Sequence, residues 1–178
     1  MAAIIDKLKK NKPLAQDSKL PTGHKIKEDN PEQGTIDLAT LAGKNFADVL
    51  LPDIIVGVPG AFTPPCSSQV PGYIEKADQF AAKGVQGIYI VAVNDVFTTK
   101  AWKEHHKWNH PLVHILADDT GNFTHEAGMS FDASGLLGNH RSLRYAAIVS
   151  DGVVKSIFVE DEAPSVTTTA AENVLQAV

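Results

Sequence analysis

Cysteine is nearly missing from this 178-residue sequence: Cys66 is the single one. That excludes an intrachain disulfide framework and any zinc site built on several thiolates, and it suits a reducing compartment. Arginine is almost as scarce, with only Arg141 and Arg144. A net charge of −5 and no basic stripe interleaved with aromatics disfavour a nucleic-acid partner. No apolar run approaches the roughly 18 residues that a membrane span requires, so no membrane partner is expected. The start, Met1 to Lys12, is basic but has no arginine, no long apolar core and an early Asp6, so it fits neither a secretory signal nor a good transit peptide. The last residues, Gln176-Ala177-Val178, are not a peroxisomal tripeptide. Dinucleotide-binding, P-loop and calcium-loop patterns are also lacking. These absences point to a cytoplasmic protein with no cofactor, or a mitochondrial one after removal of a targeting segment.

What is there has an average globular make-up, 43% hydrophobic and 21% charged, enough for one domain over residues 1–178 with a full core. Residues 1–20 read as a loosely packed extension that opens on a short helix carrying Ile4, Ile5 and Leu8. Segments 24–27 and 35–38 flank a Pro/Gly turn as a hairpin, and Asp37 to Leu41 opens a short helix that stops at Gly43. Three short apolar runs follow as strands: 53–58, short enough to be buried, 87–93, matching a strand buried on both faces, and 112–117. Helical spacing joins them: Tyr73, Ala77 and Phe80 in a helix ending near Lys83-Gly84, then Phe97 to Trp108 with Thr98 or Thr99 at its start. Asn122 to Met129 forms a short helix. Segments 144–149 and 153–159 pair across Ser150-Asp151-Gly152, and Thr169-Ala170-Ala171-Glu172 is a capping box for a terminal helix. Strands alternating with helices and then a hairpin imply an α/β fold: a parallel centre with an antiparallel extension.

The cysteine sits where the first apolar run hands over to a helix. Thr63 suits the N-cap, Pro64 the first helical position and Cys66 the third, among free N–H groups at the positive end of the helix dipole. That setting favours a thiolate nucleophile over the inert, buried thiol that a lone cysteine more often is. A thiolate attacking a peroxide needs the O–O bond held in line and its developing charge stabilised. The Thr63 hydroxyl faces the same helix mouth, and Pro59 shapes and shields the pocket. The cation is Arg141 or Arg144. A charge inside an apolar strand is costly unless paired, which favours Arg144 as the buried one and leaves Arg141 as a solvated residue. His106, His110 and His114 recur every four residues, but Pro111 breaks the helix that would align them, so no metal is expected. Trp102 and Trp108 are core or interface residues.

The run Pro59-Gly60-Ala61-Phe62-Thr63-Pro64-Pro65-Cys66-Ser67, with Val70-Pro71-Gly72-Tyr73 and Val93-Asn94-Asp95, resembles the type II (atypical, peroxiredoxin-5-like) peroxiredoxins from about Val56 to the C-terminus. The resemblance implies a thioredoxin-like fold, with a central mixed sheet flanked by helices and an N-terminal hairpin extension. It implies a thiol peroxidase acting on hydrogen peroxide and alkyl hydroperoxides, in antioxidant defence and redox homeostasis. It matches Arg144 to the active-site arginine, with Cys66 and Thr63 as its catalytic partners and Pro59, Thr63 and Arg144 holding substrate. It also implies a homodimer. Many relatives carry a resolving cysteine in segments matching Val166–Thr169 or Gly87–Val93, and this sequence has none there, so an external thiol is implied, glutathione with glutaredoxin or thioredoxin. Relatives also commonly have a histidine before the Pro-Gly pair and one more residue after the cysteine; Cys66-Ser67-Ser68-Gln69-Val70-Pro71 lacks both.

Two other readings compete. A thiol transferase would carry C-x-x-C here, but Thr63 occupies the first position. A redox sensor or scaffold would use Cys66 as a switch without turnover. The peroxidase reading requires the sulfur to be open to solvent and Arg144 to be turned toward it.

Overall fold

A short, mostly apolar run suits a strand covered on both faces, and the three runs form the central strands of the sheet. The computed structural model describes residues 11–32, 35–41 and 51–178. In chain order the elements are β1 (Ile26–Glu28), β2 (Thr35–Ile36), β3 (Asp53–Val58), α1 (Pro64–Glu75), α2 (Ala77–Ala82), β4 (Ile88–Ala92), α3 (Val96–His105), β5 (Val113–Ala117) and α4 (Asn122–Glu126). They continue with β6 (Ser130–Asp132), α5 (Ser134–Leu137), β7 (His140–Ser142), β8 (Tyr145–Ser150), β9 (Val153–Val159) and α6 (Ala171–Ala177). One seven-stranded sheet has the order β2-β1-β5-β4-β3-β8-β9, and β6 and β7 form a separate two-stranded ribbon. The centre is parallel, β3 with β4 and β4 with β5, while β8, β9, β1 and β2 add antiparallel edges.

Alternation along β3 splits the core in two. Ile54, Val56 and Val58 face a cluster with Cys66, Tyr73, Phe80 and Trp102; Ile55 faces one with Leu116, Phe123 and Tyr145. Each face carries helices, giving the layered mixed α/β architecture expected.

Several local expectations change. The hairpin forms from β1 and β2 and docks on β5. The helix after Asp37 is a single 3-10 turn, Leu38–Thr40, capped by the Asp37 side chain, while Gly43 and the opening helix near Ile4, Ile5 and Leu8 lie outside the described residues. The extension is not loose where it is described: Leu14 and Leu20 are buried, and Lys19 bridges to Val153. The long helix through Phe80 is broken at Lys76, which ends α1 and precedes α2 with non-helical backbone angles. The cap of α3 is Asp95, whose carboxylate accepts from the Thr98 N–H at 2.9 Å, rather than a threonine. The capping box at Thr169 does not form, since Ala170 is the N-cap of α6 and makes no side-chain bond. Arg144 lies just ahead of β8, not inside it.

Candidate active site

The parallel strand β3 ends at Val58, so the loop that follows lies beyond the carboxyl edge of the sheet, where open α/β folds place their ligands. Gly60 turns the chain, its carbonyl accepting from the Thr63 N–H and, at 2.9 Å, from the Thr63 hydroxyl. Asn94, just past β4, accepts from the Ala61 N–H at 3.0 Å. Phe62 is left at φ 62°, a left-handed conformation costly for a bulky side chain, and its half-exposed ring leans on His105. Pro64 then starts α1 and Cys66 is its third residue.

The structure brings Cys66, Thr63, Pro59 and Arg144 together. A cavity of about 660 Å³ is lined by Pro59, Thr63, Pro64, Pro65 and Arg144 together with Phe131, Leu136, Leu137, Ala163 and Pro164. Arg144 is 1% exposed. Its Nη2 donates to Cys66 Sγ at 3.4 Å, its Nη1 to Gln69 Oε1 at 2.6 Å and its Nε to the Ala163 carbonyl at 2.9 Å. No carboxylate touches it among the described residues. Burying a guanidinium without a counter-ion costs several kcal/mol, so this pocket favours an anion placed against the terminal nitrogen that meets Cys66.

Two expectations need correcting. Cys66 is 0% exposed, not open at a helix mouth: Arg144, which lines the cavity, lies against the sulfur. Thr63 is the N-cap by position, but its hydroxyl proton goes to Gly60 and no cap bond forms. That leaves its oxygen lone pairs free to accept. Arg141 is also not a solvated residue. Half-buried, it donates to the carbonyls of Val93 and Leu137 and lies beside Gly60. Burial lowers its pKa while the charge of Cys66 acts the other way, so the sulfur is within electrostatic reach of both arginines.

The sequence reading passed over a second set of residues. Gln69 is buried one turn after Cys66, a spacing that places both on one helix face. Its amide donates to the Thr169 hydroxyl at 2.8 Å while its oxygen takes Arg144. Thr169 in turn donates to Glu160 at 2.9 Å. Burial raises the Glu160 pKa, but the backbone and hydroxyl bonds from Thr169 and Thr167 outweigh it and bring the carboxyl down to about 2. Nothing local marks Glu160, because its partners lie in the loop beyond β9.

The three histidines scatter. His106 stacks on Trp108, His110 meets Asp78, and His114 pairs with Glu28. Among the described residues no three His, Cys, Asp or Glu side chains are placed to share a metal, and no helix is long and apolar enough to cross a membrane. Trp102 is fully buried, its ring set edge-on to Trp108 at 4.7 Å.

The chain is similar to known proteins in sequence and in fold. A family model described as Redoxin matches residues 15–175. The Peroxisomal membrane associated protein 20 of Schizosaccharomyces pombe is 58% identical over 126 residues, 70% of this chain and 81% of the relative. Peroxiredoxin-2C of Oryza sativa is 40% identical over 126 residues, 70% of this chain and 76% of the relative. A crystal structure of reduced Prx3 from Vibrio vulnificus, in complex with H2O2, superposes with a TM-score of 0.79 at 37% identity, covering 93% of this chain and 99% of that one.

Proposed function

This chain belongs to the redoxin family and is a peroxiredoxin, a thiol peroxidase with one cysteine, and we propose that it reduces hydrogen peroxide and alkyl hydroperoxides through Cys66, with an external thiol closing the cycle. The observation that carries this reading is the 3.4 Å contact of a buried guanidinium with the single sulfur. A structural cysteine has no use for a buried cation. The Vibrio relative, solved with hydrogen peroxide bound, supports the same substrate.

The thiolate attacks the terminal oxygen of the hydroperoxide. An S–O bond forms as the O–O bond breaks, leaving a sulfenic acid on Cys66 and an alkoxide or hydroxide that takes a proton from water. Sulfur gives up two electrons and the peroxide accepts them. Thr63, its own proton held by Gly60, accepts from the hydroperoxide O–H and so selects the oxygen that faces the sulfur. Arg144 stabilises charge as it moves onto the leaving oxygen. Pro59 and the largely apolar lining of the cavity suit an alkyl tail. A thiol then attacks the sulfenic sulfur, expelling water and leaving a mixed disulfide, and a second thiol frees Cys66. Glutathione with glutaredoxin, or thioredoxin, would serve, since the chain has no second cysteine.

Stopped-flow peroxide consumption with each reductant tests the proposal. Repeated turnover in the wild type and none in Cys66→Ser are expected. A sulfur that oxidises once and stalls with both reductants would be a sensor; a sulfur that never reacts overturns the reading. Exposed Phe62 and Phe97 support a homodimer, which sedimentation would reveal. The lone thiol suits the cytoplasm, whereas the fission-yeast relative is named for the peroxisomal membrane; imaging of the tagged protein separates the two.

A further inference from the structure

Thr169 and Glu160 lie outside the chemistry described above, yet they meet it through an unbroken line of buried hydrogen bonds. We propose that Glu160 is a positioning residue for peroxide reduction: its carboxylate orients the Thr169 hydroxyl, which orients the Gln69 amide, which fixes the Arg144 guanidinium against Cys66. The proposal rests on Cys66 being the peroxide-reactive sulfur.

Proton direction carries the argument. An amide side chain can turn either end toward a neighbour, and a hydroxyl can donate to only one acceptor. Glu160, ionised, can only accept. It takes the Thr169 N–H and the Thr169 hydroxyl, both at 2.9 Å, and the Thr167 N–H and hydroxyl, both at 2.7 Å. The Thr169 proton is thereby committed, and its oxygen is left to accept from Gln69 Nε2 at 2.8 Å. The Thr169 carbonyl accepts from the same Nε2 at 3.2 Å and from the Tyr73 hydroxyl at 2.6 Å. With its nitrogen held there, Gln69 must present its oxygen to Arg144. The alternative orientation would set an NH2 group against a guanidinium, two donors facing each other in a buried site. Arg144 is then held by Gln69 and the Ala163 carbonyl, and its remaining terminal nitrogen points at the sulfur.

Glu160 also explains how a buried cation tolerates the reaction. When the Cys66 thiolate becomes a neutral sulfenic acid, Arg144 loses its contacting anion. Glu160 stays ionised at the far end of the same hydrogen-bonded line, and it ties down the loop that carries the Thr169 and Thr167 contacts.

The test is the second-order rate of peroxide reduction by the full chain. Thr169→Val, which keeps the side-chain shape and deletes the hydroxyl, should fall about 10- to 100-fold, the scale of a misplaced catalytic group, and Thr169→Ser should recover the rate. Glu160→Gln should fall likewise in the wild type but add nothing to Arg144→Lys, because both act on the same guanidinium. Wild-type rates in Thr169→Val and Glu160→Gln would overturn the proposal. So would an equal loss from Glu160→Gln in both backgrounds, which would mark a general structural effect. Should Glu160→Gln fail to fold, the valine and serine variants at Thr169 decide the question alone. A wild type that does not reduce peroxide would instead sink the underlying assignment of Cys66.

Discussion

Replacing Arg144 by glutamine removes, among the described residues, the cation in contact with the sulfur and shortens the side chain below the reach of Sγ. Two unit charges 3.4 Å apart attract by about 5 kcal/mol at the effective dielectric of a protein site. Not all of that appears in the rate. The same cation steadies the resting thiolate, and only the part that grows as charge moves to the leaving oxygen lowers the barrier. Removing one oriented donor of this kind costs about 10²- to 10³-fold. Arg144→Gln should therefore fall at least about a hundredfold in its peroxide rate. Arg144→Lys keeps the charge but loses the fork that holds Gln69 and Ala163, and it should fall about tenfold. A built-in probe reports the reaction: the Trp102 indole donates to Ser67 Oγ at 3.0 Å, one residue from the cysteine. The substitution also leaves the Gln69 oxygen and the Ala163 carbonyl unmatched, at about 1–3 kcal/mol each, so thermal melting must accompany the kinetics. A folded Arg144→Gln protein that keeps more than a tenth of the wild-type rate would refute the assignment.

Three further outcomes follow from the same structure. The Glu160 carboxyl, held at about 2 against an ordinary 4.5, stabilises the fold above pH 4.5, and that contribution is lost as pH falls through 2; acid unfolding of Glu160→Gln should lack this limb, on the order of 2 kcal/mol. Asp53 has the opposite sign: burial raises it to about 6, with His114 pulling it back, so its contribution is complete below pH 3.8 and is lost as pH rises through 6. Asp53→Asn should therefore be more stable than the wild type at pH 7.5 by about 1–3 kcal/mol in urea titration. Gly57→Ala would drive a Cβ into the buried Tyr145 ring and to 2.7 Å from Ser142 Oγ, and should lower the thermal midpoint by an amount corresponding to about 1–3 kcal/mol.

The sheet was legible because β3, β4 and β5 are short, mostly apolar runs bounded by turn residues, as buried strands require. Arg144 was legible for a different reason. The desolvation argument expected a buried charge within β8; the residue sits one position ahead of that strand, yet the cost of burying it is the same. Local patterns failed where a distant partner outbid a neighbour. Thr169, three residues before Glu172, has the spacing of a capping box, but Glu160 and Gln69 capture its hydroxyl first.

The burial of Cys66 is the sharper lesson, because taken alone it argues for an inert thiol. Helix position and dipole speak for the thiolate, but they act on any residue at that turn and say nothing about what covers it. Part of the cavity lining comes from Phe131, Leu136, Leu137, Ala163 and Pro164, which no motif around the cysteine could foretell. What decides between an inert and a reactive sulfur is therefore not its exposure but its neighbour. A buried thiol among aliphatic side chains is at rest, whereas one that meets a buried guanidinium with no carboxylate in contact must share in balancing that charge. A peroxide is small enough that closing the site costs it little, while the closure keeps water and bulkier electrophiles from the same sulfur. On that account Cys66 should react with hydrogen peroxide far faster than with a bulky aromatic disulfide reagent, and similar rates for the two would mean that the covered site does not exist in solution.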